Sequence, residues 1–235
     1  MRKKILTSLA AATVLLAGAG ISTAAVADTN EPQSVPDPVL DSKALEEALD
    51  GIVENGGQSV VAEVKESQEF WADASGPRER GGDEMTQRDD QVRIGSLTKS
   101  MLTTVLFQLV EAGKLDIDAP VADYLPDALP YDQEITVRQL MGHTAGVPDY
   151  FPKILPSLAD GSADDIPEKM QDEYAHGEIV DMATSDPLLF EPDENWAYSN
   201  TGYYVLGQLV EEITGDSVDT NLSERVFEPL HLGET

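Results

Sequence analysis

An apolar segment at residues 101–112 places the strongest constraint on the fold of this chain. Its leucine and valine residues occur on most sides of a helix, which predicts a helix buried at the centre of a domain. Gly113 is expected to end this helix. The run 91–95 before it is short and extended in pattern, so we predict a short strand that leads to the helix, with Ser96 at the junction.

The amino terminus has the pattern of a secretory signal peptide. A basic start is followed by an apolar run at 5–21 and by a small-x-small cleavage sequence that ends at Ala27. A transmembrane anchor is the alternative, but the run is short and rich in Ala and Gly. We expect a secreted protein of the extracellular space or cell envelope, with no stable membrane anchor after cleavage. The predicted organisation is a signal peptide at 1–27, an acidic, proline-rich leader at 28–41 and a domain at 42–235.

The formal net charge of −29 argues against nucleic acid and anionic membrane surfaces as partners. The acidic residues are spread along the chain, which is typical of a solvated surface; adaptation to a salty or divalent-rich exterior is the other interpretation. The chain has no cysteine, which excludes a disulfide framework and a lipid-anchoring cysteine. Its apolar content of 41% favours a folded domain.

Local patterns on both sides of the central helix predict an α+β arrangement with a helical lobe. Apolar residues spaced by three and four indicate helices, and β-rich runs separated by a polar turn indicate a hairpin. The predicted elements are a helix at 42–54, strands at 59–64 and 69–74, an exposed loop at 76–90, a helix at 136–141 with Thr136 as its cap, short helices in long loops at 150–186, and a helix at 203–214 that Gly215 ends.

Ser96 and Lys99 are the first candidates for chemistry. Residues three apart on a helix share a face, so the hydroxyl and the amine can meet. A serine nucleophile needs such a partner for its proton, and a backbone N–H at a helix start can stabilise an oxyanion. The alternative is a helix-capping serine followed by a surface lysine. The position of Ser96 at a strand-to-helix junction favours the nucleophile.

Tyr198 and Asn200 are the second pair of candidates. Alternate side chains of an extended tripeptide point the same way, so both would face one cleft. A phenol can pass a proton to a leaving group, and a carboxamide can hold both a substrate amide and a lysine. The alternative is an ordinary loop in which Asn200 caps the following helix.

The segments 93–100 and 196–203 resemble the serine β-lactamase and penicillin-binding superfamily, and the segments 108–115 and 135–147 are similar to further parts of that family. With Tyr-x-Asn as the second motif, the chain is similar to class C β-lactamases and secreted D-alanyl-D-alanine carboxypeptidases. The resemblance covers about 42–235. It implies a β-lactamase/transpeptidase-like fold, an antiparallel sheet flanked by helices plus a helical lobe.

The resemblance also implies a role for each candidate residue. Ser96 would form the acyl-enzyme, Lys99 would assist its deprotonation, Tyr198 would act with Lys99 in passing the proton to the leaving group, and Asn200 would orient the substrate amide. Whether Lys99 or Tyr198 is the base stays open, as it does in related enzymes. No cofactor is expected. The expected partner is a D-Ala-D-Ala peptide, a β-lactam or an ester, and the expected state is a monomer.

Two departures from the family pattern stand out. The family usually has glycine after the proline of the second loop, where this chain has Asp193, which predicts an unstrained type I turn there. The family also has a Lys/His-Thr/Ser-Gly motif on a strand beside the nucleophile. His231-Leu232-Gly233 has similar letters but lies too near Asn200 and resembles a connector. We therefore expect a family member cut short, with its C-terminal strands missing.

The sequence thus predicts a secreted serine hydrolase that is a D-alanyl-D-alanine carboxypeptidase or a class C-like β-lactamase. An esterase of the same superfamily is one alternative, and a non-catalytic fragment that binds cell-wall peptides is another. His143 is interpreted as a structural hydrogen-bonding residue and His176 as a surface residue, because neither has the spacing of a metal site.

Overall fold

The computed structural model describes residues 40–157, 161–162, 166–169, 172–233 and 235. The predicted signal peptide and nearly all of the predicted leader lie outside these residues. The described chain forms two compact units, which divide between Gln91 and Val92. No helix in the described part of the chain combines the length and the apolar character that crossing a membrane requires.

The first unit contains helix α1 (Ser42–Glu54) and a two-stranded antiparallel sheet, β1 (Val60–Glu66) and β2 (Glu69–Ser75). The Asp41 side chain accepts a hydrogen bond from the Ala44 backbone N–H and so caps the start of α1. The strands pair from Val60 opposite Ser75 to Glu66 opposite Glu69. The predicted helix and hairpin are therefore present, and each strand is slightly longer than its pattern indicated.

The second unit is helical in its described part. Its elements are α2 (Leu97–Glu111), a 3₁₀ turn (Val121–Asp123), α3 (Val137–Gly142), α4 (Phe151–Ile154), α5 (Ile166–Lys169), α6 (His176–Thr184), α7 (Asn200–Thr214), α8 (Val218–Leu222) and a π-helical turn (Ser223–Phe227). The short helices α4, α5 and α6 agree with the prediction for 150–186. The predicted strand at 91–95 is wrong: the segment has no regular structure and Val92 is 67% exposed. A strand needs a neighbouring strand for its backbone hydrogen bonds, and none of the described residues supplies one there.

Helices α2 and α7 form the centre of the core. Their fully buried side chains pack together with Leu140 of α3: Val105, Leu106, Leu109, Val205, Leu206, Leu209 and Val210. The prediction of a central helix at 101–112 is confirmed, although the described residues leave Phe107 50% exposed. Gly113, with φ +67°, ends α2, and the Lys114 N–H donates to the Leu109 carbonyl in the Schellman arrangement.

Local caps determine where two of the other helices begin and end. At α3, Thr136 accepts from the Gln139 backbone N–H, while the Gln139 side chain accepts from Thr136, which completes a capping box. Helix α7 begins three residues earlier than the predicted Tyr203 because Ser199 caps it. Its predicted end is confirmed, since Gly215 has the left-handed φ of +80°.

Candidate active site

Ser96 lies at the entrance to α2 with its hydroxyl free of any capping role. Gly95, with φ +53°, turns the chain into the helix. Ser96 itself has helical angles and makes no side-chain capping hydrogen bond. Its Oγ instead lies 3.2 Å from Lys99 Nζ and 2.9 Å from the Tyr198 hydroxyl. The interpretation of Ser96 as a helix cap is therefore wrong.

Lys99 connects Ser96 to the second candidate pair. Its Nζ donates to Asn200 Oδ1 at 2.6 Å as well as to Ser96 Oγ. The ammonium group also lies 5.0 Å from the centroid of the Tyr198 ring and 5.4 Å from that of Tyr203, within the range of cation–π attraction. Two aromatic faces and two oxygens thus hold this side chain in one place.

Tyr198 and Asn200 reach the same site because Ser199 between them is extended, with φ −137° and ψ 117°. The alternation predicted from the sequence is what brings both side chains to Ser96 and Lys99. Ser199 is buried on the other side of the strand-like tripeptide, where its Oγ accepts from the Gly202 N–H and donates to the Pro148 carbonyl. Ser199, and not Asn200, is the cap of α7, so the alternative interpretation of Asn200 is wrong.

His143 holds the backbone of this tripeptide. Its Nδ1 accepts the Ser199 N–H at 3.2 Å, and its ring lies on the Tyr198 ring with centroids 4.5 Å apart. Burial, together with the Lys99 charge, lowers the pKa of His143, and Asp149 opposes this in part. The neutral form that can accept the hydrogen bond is therefore the favoured one. The prediction of a structural hydrogen-bonding role is confirmed.

Asp149 is a member of the site that the sequence did not reveal. One carboxylate oxygen accepts the Asn200 backbone N–H at 3.2 Å, and the other accepts the Asn200 side-chain Nδ2 at 2.9 Å. Nothing in its neighbourhood distinguishes it among 44 acidic residues. The only feature of the sequence that points to it is its position two residues after the segment 135–147. No regular spacing connects that position with Asn200.

Asp193 corrects the prediction of an unstrained turn. Its φ is +67°, in the left-handed region that non-glycine residues seldom adopt. Its side chain compensates, because one oxygen accepts from Gln139 Nε2 at 2.7 Å and the other from the Thr144 hydroxyl at 2.9 Å. The Asp193 N–H also donates to the Thr144 carbonyl. The loop that carries Tyr198 is thus attached to the end of α3.

The electrostatic environment of Tyr198 favours loss of its proton. Burial raises the pKa of Tyr198, but hydrogen bonding with Lys99 and Ser96 and the positive charge of Lys99 outweigh burial and lower it. The negative charge of Asp149 acts in the opposite direction. A lower pKa raises the fraction of Tyr198 in the phenolate form, and a phenolate beside a serine hydroxyl can accept that hydroxyl's proton.

Ser96, Lys99, Tyr198 and Asn200 line a cavity of about 790 Å³, large enough for a small-molecule or peptide ligand. Other parts of its wall are apolar or aromatic: Leu102, Tyr150, Phe151, Tyr203, Tyr204 and Val218. No acceptor among the described residues takes the backbone N–H of Ser96. That N–H lies beside the hydroxyl that would attack a carbonyl, which is where an oxyanion donor is needed.

Of the two remaining histidines, His231 lies outside this cavity. His231 lines a separate groove with Phe227 and Leu232, and it is not part of the wall around Ser96. His176 begins α6, and its side chain lies outside the described part of the structure. Among the described residues, no group of three or more His, Asp or Glu side chains is arranged to hold a metal ion.

Comparison with known proteins relates this geometry to a family. The model of the family described as Beta-lactamase matches residues 43–235. Penicillin-binding protein 4 of Amycolatopsis lactamdurans is 35% identical over 166 residues, which are 69% of this chain and 40% of the relative. Esterase EstB of Burkholderia gladioli is 27% identical over 208 residues, 82% of this chain and 52% of the relative.

A solved structure gives the same result for the fold. The crystal structure of a D-stereospecific amidohydrolase from Streptomyces sp. superposes with a TM-score of 0.71 at 30% identity, and covers 82% of this chain and 55% of that one. The chain therefore spans about half the length of the relatives that it matches. Because the family model covers most of the chain, and the structural neighbours share its β-lactamase/transpeptidase-like fold, the protein belongs to the Beta-lactamase family, within the serine β-lactamase and penicillin-binding superfamily.

Proposed function

We propose that this chain belongs to a secreted serine hydrolase that acts through an acyl-enzyme on Ser96, and that its substrates are D-alanyl-D-alanine peptides and β-lactams. The observation that supports the proposal most is the position of Ser96 Oγ, within hydrogen-bond distance of both Lys99 Nζ and the Tyr198 hydroxyl. A serine becomes a nucleophile when a base beside it can take its proton.

In the proposed reaction Ser96 Oγ attacks the substrate carbonyl carbon, and its proton passes to the Tyr198 phenolate. The lowered pKa of Tyr198 supports Tyr198 as the base, and Lys99 as the cation that stabilises the phenolate. The Ser96 N–H donates to the oxyanion. When the tetrahedral intermediate collapses, the carbonyl bond to the leaving nitrogen or oxygen breaks, and Tyr198 returns the proton to that atom. Water then hydrolyses the ester of Ser96.

Asn200 is proposed to serve both the enzyme and the substrate. Its Oδ1 accepts a hydrogen bond from Lys99 Nζ, which also donates to Ser96 Oγ, and so helps to fix the position of Lys99. Its carboxamide lines the cavity, where it can also contact the amide of a bound peptide or β-lactam. Loss of this residue is expected to impair acylation without removing the nucleophile.

The relatives support the reaction class more strongly than any one substrate. Their names include a penicillin-binding protein, an esterase and a D-stereospecific amidohydrolase. All three are consistent with attack by a serine on a carbonyl. An esterase is the second candidate function, because Esterase EstB aligns with 82% of this chain, a larger share than the penicillin-binding protein does.

Labelling with a fluorescent penicillin tests the proposal. We expect covalent labelling of the 235-residue chain, and we expect Ser96→Ala to abolish it. Ser100→Ala is the matched control, because Ser100 is on the same helix and its hydroxyl donates only to the Leu97 carbonyl. Labelling that survives Ser96→Ala, or that Ser100→Ala removes equally, would contradict the assignment.

Substitution of the base separates Tyr198 from Lys99. Tyr198→Phe removes the proton acceptor and keeps the ring against His143, so acylation should slow by about 10²- to 10⁴-fold. Lys99→Arg keeps a cation but changes the position of its charge. If Lys99 is the base, this variant should lose acylation completely; if Lys99 supplies only a positive charge, acylation should fall only in part. Equal rates for Tyr198→Phe and wild type would exclude Tyr198 as the base.

A substrate panel then chooses among the candidate functions. Turnover of nitrocefin indicates a β-lactamase, release of D-alanine from a D-Ala-D-Ala peptide indicates a carboxypeptidase, and turnover of p-nitrophenyl esters alone indicates an esterase. No turnover of any of the three would favour a non-catalytic peptide-binding module. Secretion as a monomer is part of the proposal, and mass spectrometry of protein from the culture medium should find a chain that begins at Asp28.

A further inference from the structure

The carboxamide of Asn200 has a fixed direction in this site. Its oxygen accepts from Lys99 Nζ at 2.6 Å, and its nitrogen donates to Asp149 Oδ2 at 2.9 Å. A carboxamide has a donor end and an acceptor end of nearly the same shape, so a rotation of about 180° would exchange them. The rotated form would place the NH₂ group against the Lys99 ammonium, where two donors face each other.

Asp149 is the group that distinguishes these two directions. An ionised carboxylate only accepts hydrogen bonds, so it pairs with the NH₂ end of Asn200 and leaves the oxygen for Lys99. Its other oxygen accepts the Asn200 backbone N–H at 3.2 Å and the Phe151 backbone N–H at 3.3 Å. The same carboxylate therefore fixes both the main chain and the side chain of Asn200.

The chain on both sides of Asp149 is attached to the start of α7. The Pro148 carbonyl accepts from the Ser199 hydroxyl, and the Tyr150 N–H donates to the hydroxyl of Thr201, a fully buried residue. The backbone of Asp149 thus stands between two anchored neighbours and cannot shift away from the start of α7 without breaking these bonds. This rigidity is what a supporting residue needs in order to control the geometry of a reacting group.

We propose that Asp149 is a positioning residue for the reaction on Ser96: it selects the direction of the Asn200 carboxamide and, through that carboxamide, the place of Lys99. The catalytic consequence rests on the proposed function, whereas the orientation of Asn200 does not. Asp149 acts through Asn200 and needs no contact with the substrate.

A purely electrostatic role for Asp149 and a positioning role predict opposite changes in the rate of acylation when the carboxylate is removed. The charge of Asp149 raises the pKa of Tyr198, so its loss alone would favour the phenolate and speed acylation. A positioning role predicts slower acylation, because the carboxamide would lose its preferred direction. The sign of the change in rate therefore separates the two.

A double-mutant cycle on acylation is the kinetic test. We expect Asp149→Asn to slow labelling by fluorescent penicillin by about 10- to 100-fold in the wild-type background and by less than about 3-fold in the Asn200→Ala background. Asp127→Asn, at an exposed position away from this cavity, is the control for loss of one charge and should leave the rate unchanged. Equal effects of Asp149→Asn in both backgrounds, or faster labelling, would overturn the proposal.

NMR provides a readout that does not depend on activity. Hydrogen exchange of the Asn200 side-chain NH₂, identified by its loss in Asn200→Ala, should be at least about 10-fold slower than that of exposed Asn195, whose carboxamide nitrogen has no acceptor among the described residues. In Asp149→Asn the Asn200 signals should shift and exchange faster. Fast exchange in the wild type overturns the proposal even if Asp149→Asn does not fold.

The two proposals fail in different ways. A wild-type chain that is not labelled by penicillin or turned over with esters contradicts the proposed function, and the NMR result then decides the orientation of Asn200 alone. A wild-type chain that is labelled, with an Asp149→Asn variant of equal rate, contradicts only the role of Asp149.

Discussion

Asp193 offers a quantitative test of how the loop carrying Tyr198 is held. The residue has a left-handed backbone and two side-chain hydrogen bonds, to Gln139 Nε2 and to the Thr144 hydroxyl. Three substitutions separate these contributions. Alanine loses both bonds and adds a left-handed backbone cost that a short polar side chain such as aspartate largely avoids, glycine loses both bonds without adding a backbone cost, and asparagine tolerates the backbone and retains one acceptor oxygen.

The expected destabilisation follows from these differences. Each hydrogen bond at this exposed residue contributes about 1 kcal/mol, and a left-handed alanine costs about 1 kcal/mol. We therefore expect the free energy of unfolding to fall by about 3 kcal/mol in Asp193→Ala, about 2 kcal/mol in Asp193→Gly and about 1 kcal/mol in Asp193→Asn. Glycine at this position would thus make the chain less stable than its own aspartate does.

Thermal unfolding followed by circular dichroism measures the series. For a chain of this size 1 kcal/mol corresponds to a shift of about 2–4 °C in Tm, so Asp193→Ala should lower Tm by roughly 6–12 °C. Glu194→Ala, at the exposed neighbouring acid, is the control and should change Tm by less than about 2 °C. A Tm for Asp193→Gly above the wild-type value would show that backbone strain outweighs the two bonds, and the reasoning would be wrong.

Two further predictions concern the segment that packs against this loop. A Cβ on Gly146 would lie 2.2 Å from the Phe190 carbonyl oxygen at φ +74°, so Gly146→Ala should lower the free energy of unfolding by about 3 kcal/mol or more, whereas Gly142→Ala, which has open space, should not lower it. Because the pKa of His143 is lowered from 6.5, its contribution to stability is present above that pH and is lost as the pH falls through the lowered value. Asparagine in place of His143 tolerates the left-handed φ of 61° and can still accept the Ser199 N–H, but it does not titrate. Between about pH 7.5 and pH 5, the free energy of unfolding measured with urea should therefore fall less for His143→Asn than for the wild type.

The parts of the fold that the sequence predicted well are those with local causes. Gly113 and Gly215 end their helices by adopting left-handed angles, and Thr136 begins one with a capping box, so each signal lies within a few residues of its effect. The motifs Ser96-x-x-Lys99 and Tyr198-x-Asn200 were also predictable from their local sequence. A spacing of three on a helix and of two in an extended segment determines which side chains share a face.

The parts that the sequence did not predict depend on contacts far along the chain. Asp149 and Asn200 are 51 residues apart, and no periodic pattern connects an acid in one loop with an amide in another. The left-handed angle at Asp193 also depends on distant contacts, because its hydrogen-bond partners Gln139 and Thr144 are 54 and 49 residues away. The segment 91–95 has the composition of a strand, but composition cannot supply the neighbouring strand that its backbone needs.

Several of these long-range contacts involve one segment, residues 143–149, which holds the Tyr-x-Asn tripeptide beside the Ser-x-x-Lys motif. His143 holds the backbone beside Tyr198, and Asp149 holds both the backbone and the side chain of Asn200. The Tyr-x-Asn tripeptide is therefore fixed at both ends by a segment that contributes no reacting atom of its own. Because Tyr198 contacts Ser96 and Asn200 contacts Lys99, a shift of this segment moves the partners of both residues of the Ser-x-x-Lys motif together. Substitutions at His143 and Asp149 are consequently expected to be coupled to those at Tyr198 and Asn200, although neither residue belongs to either motif.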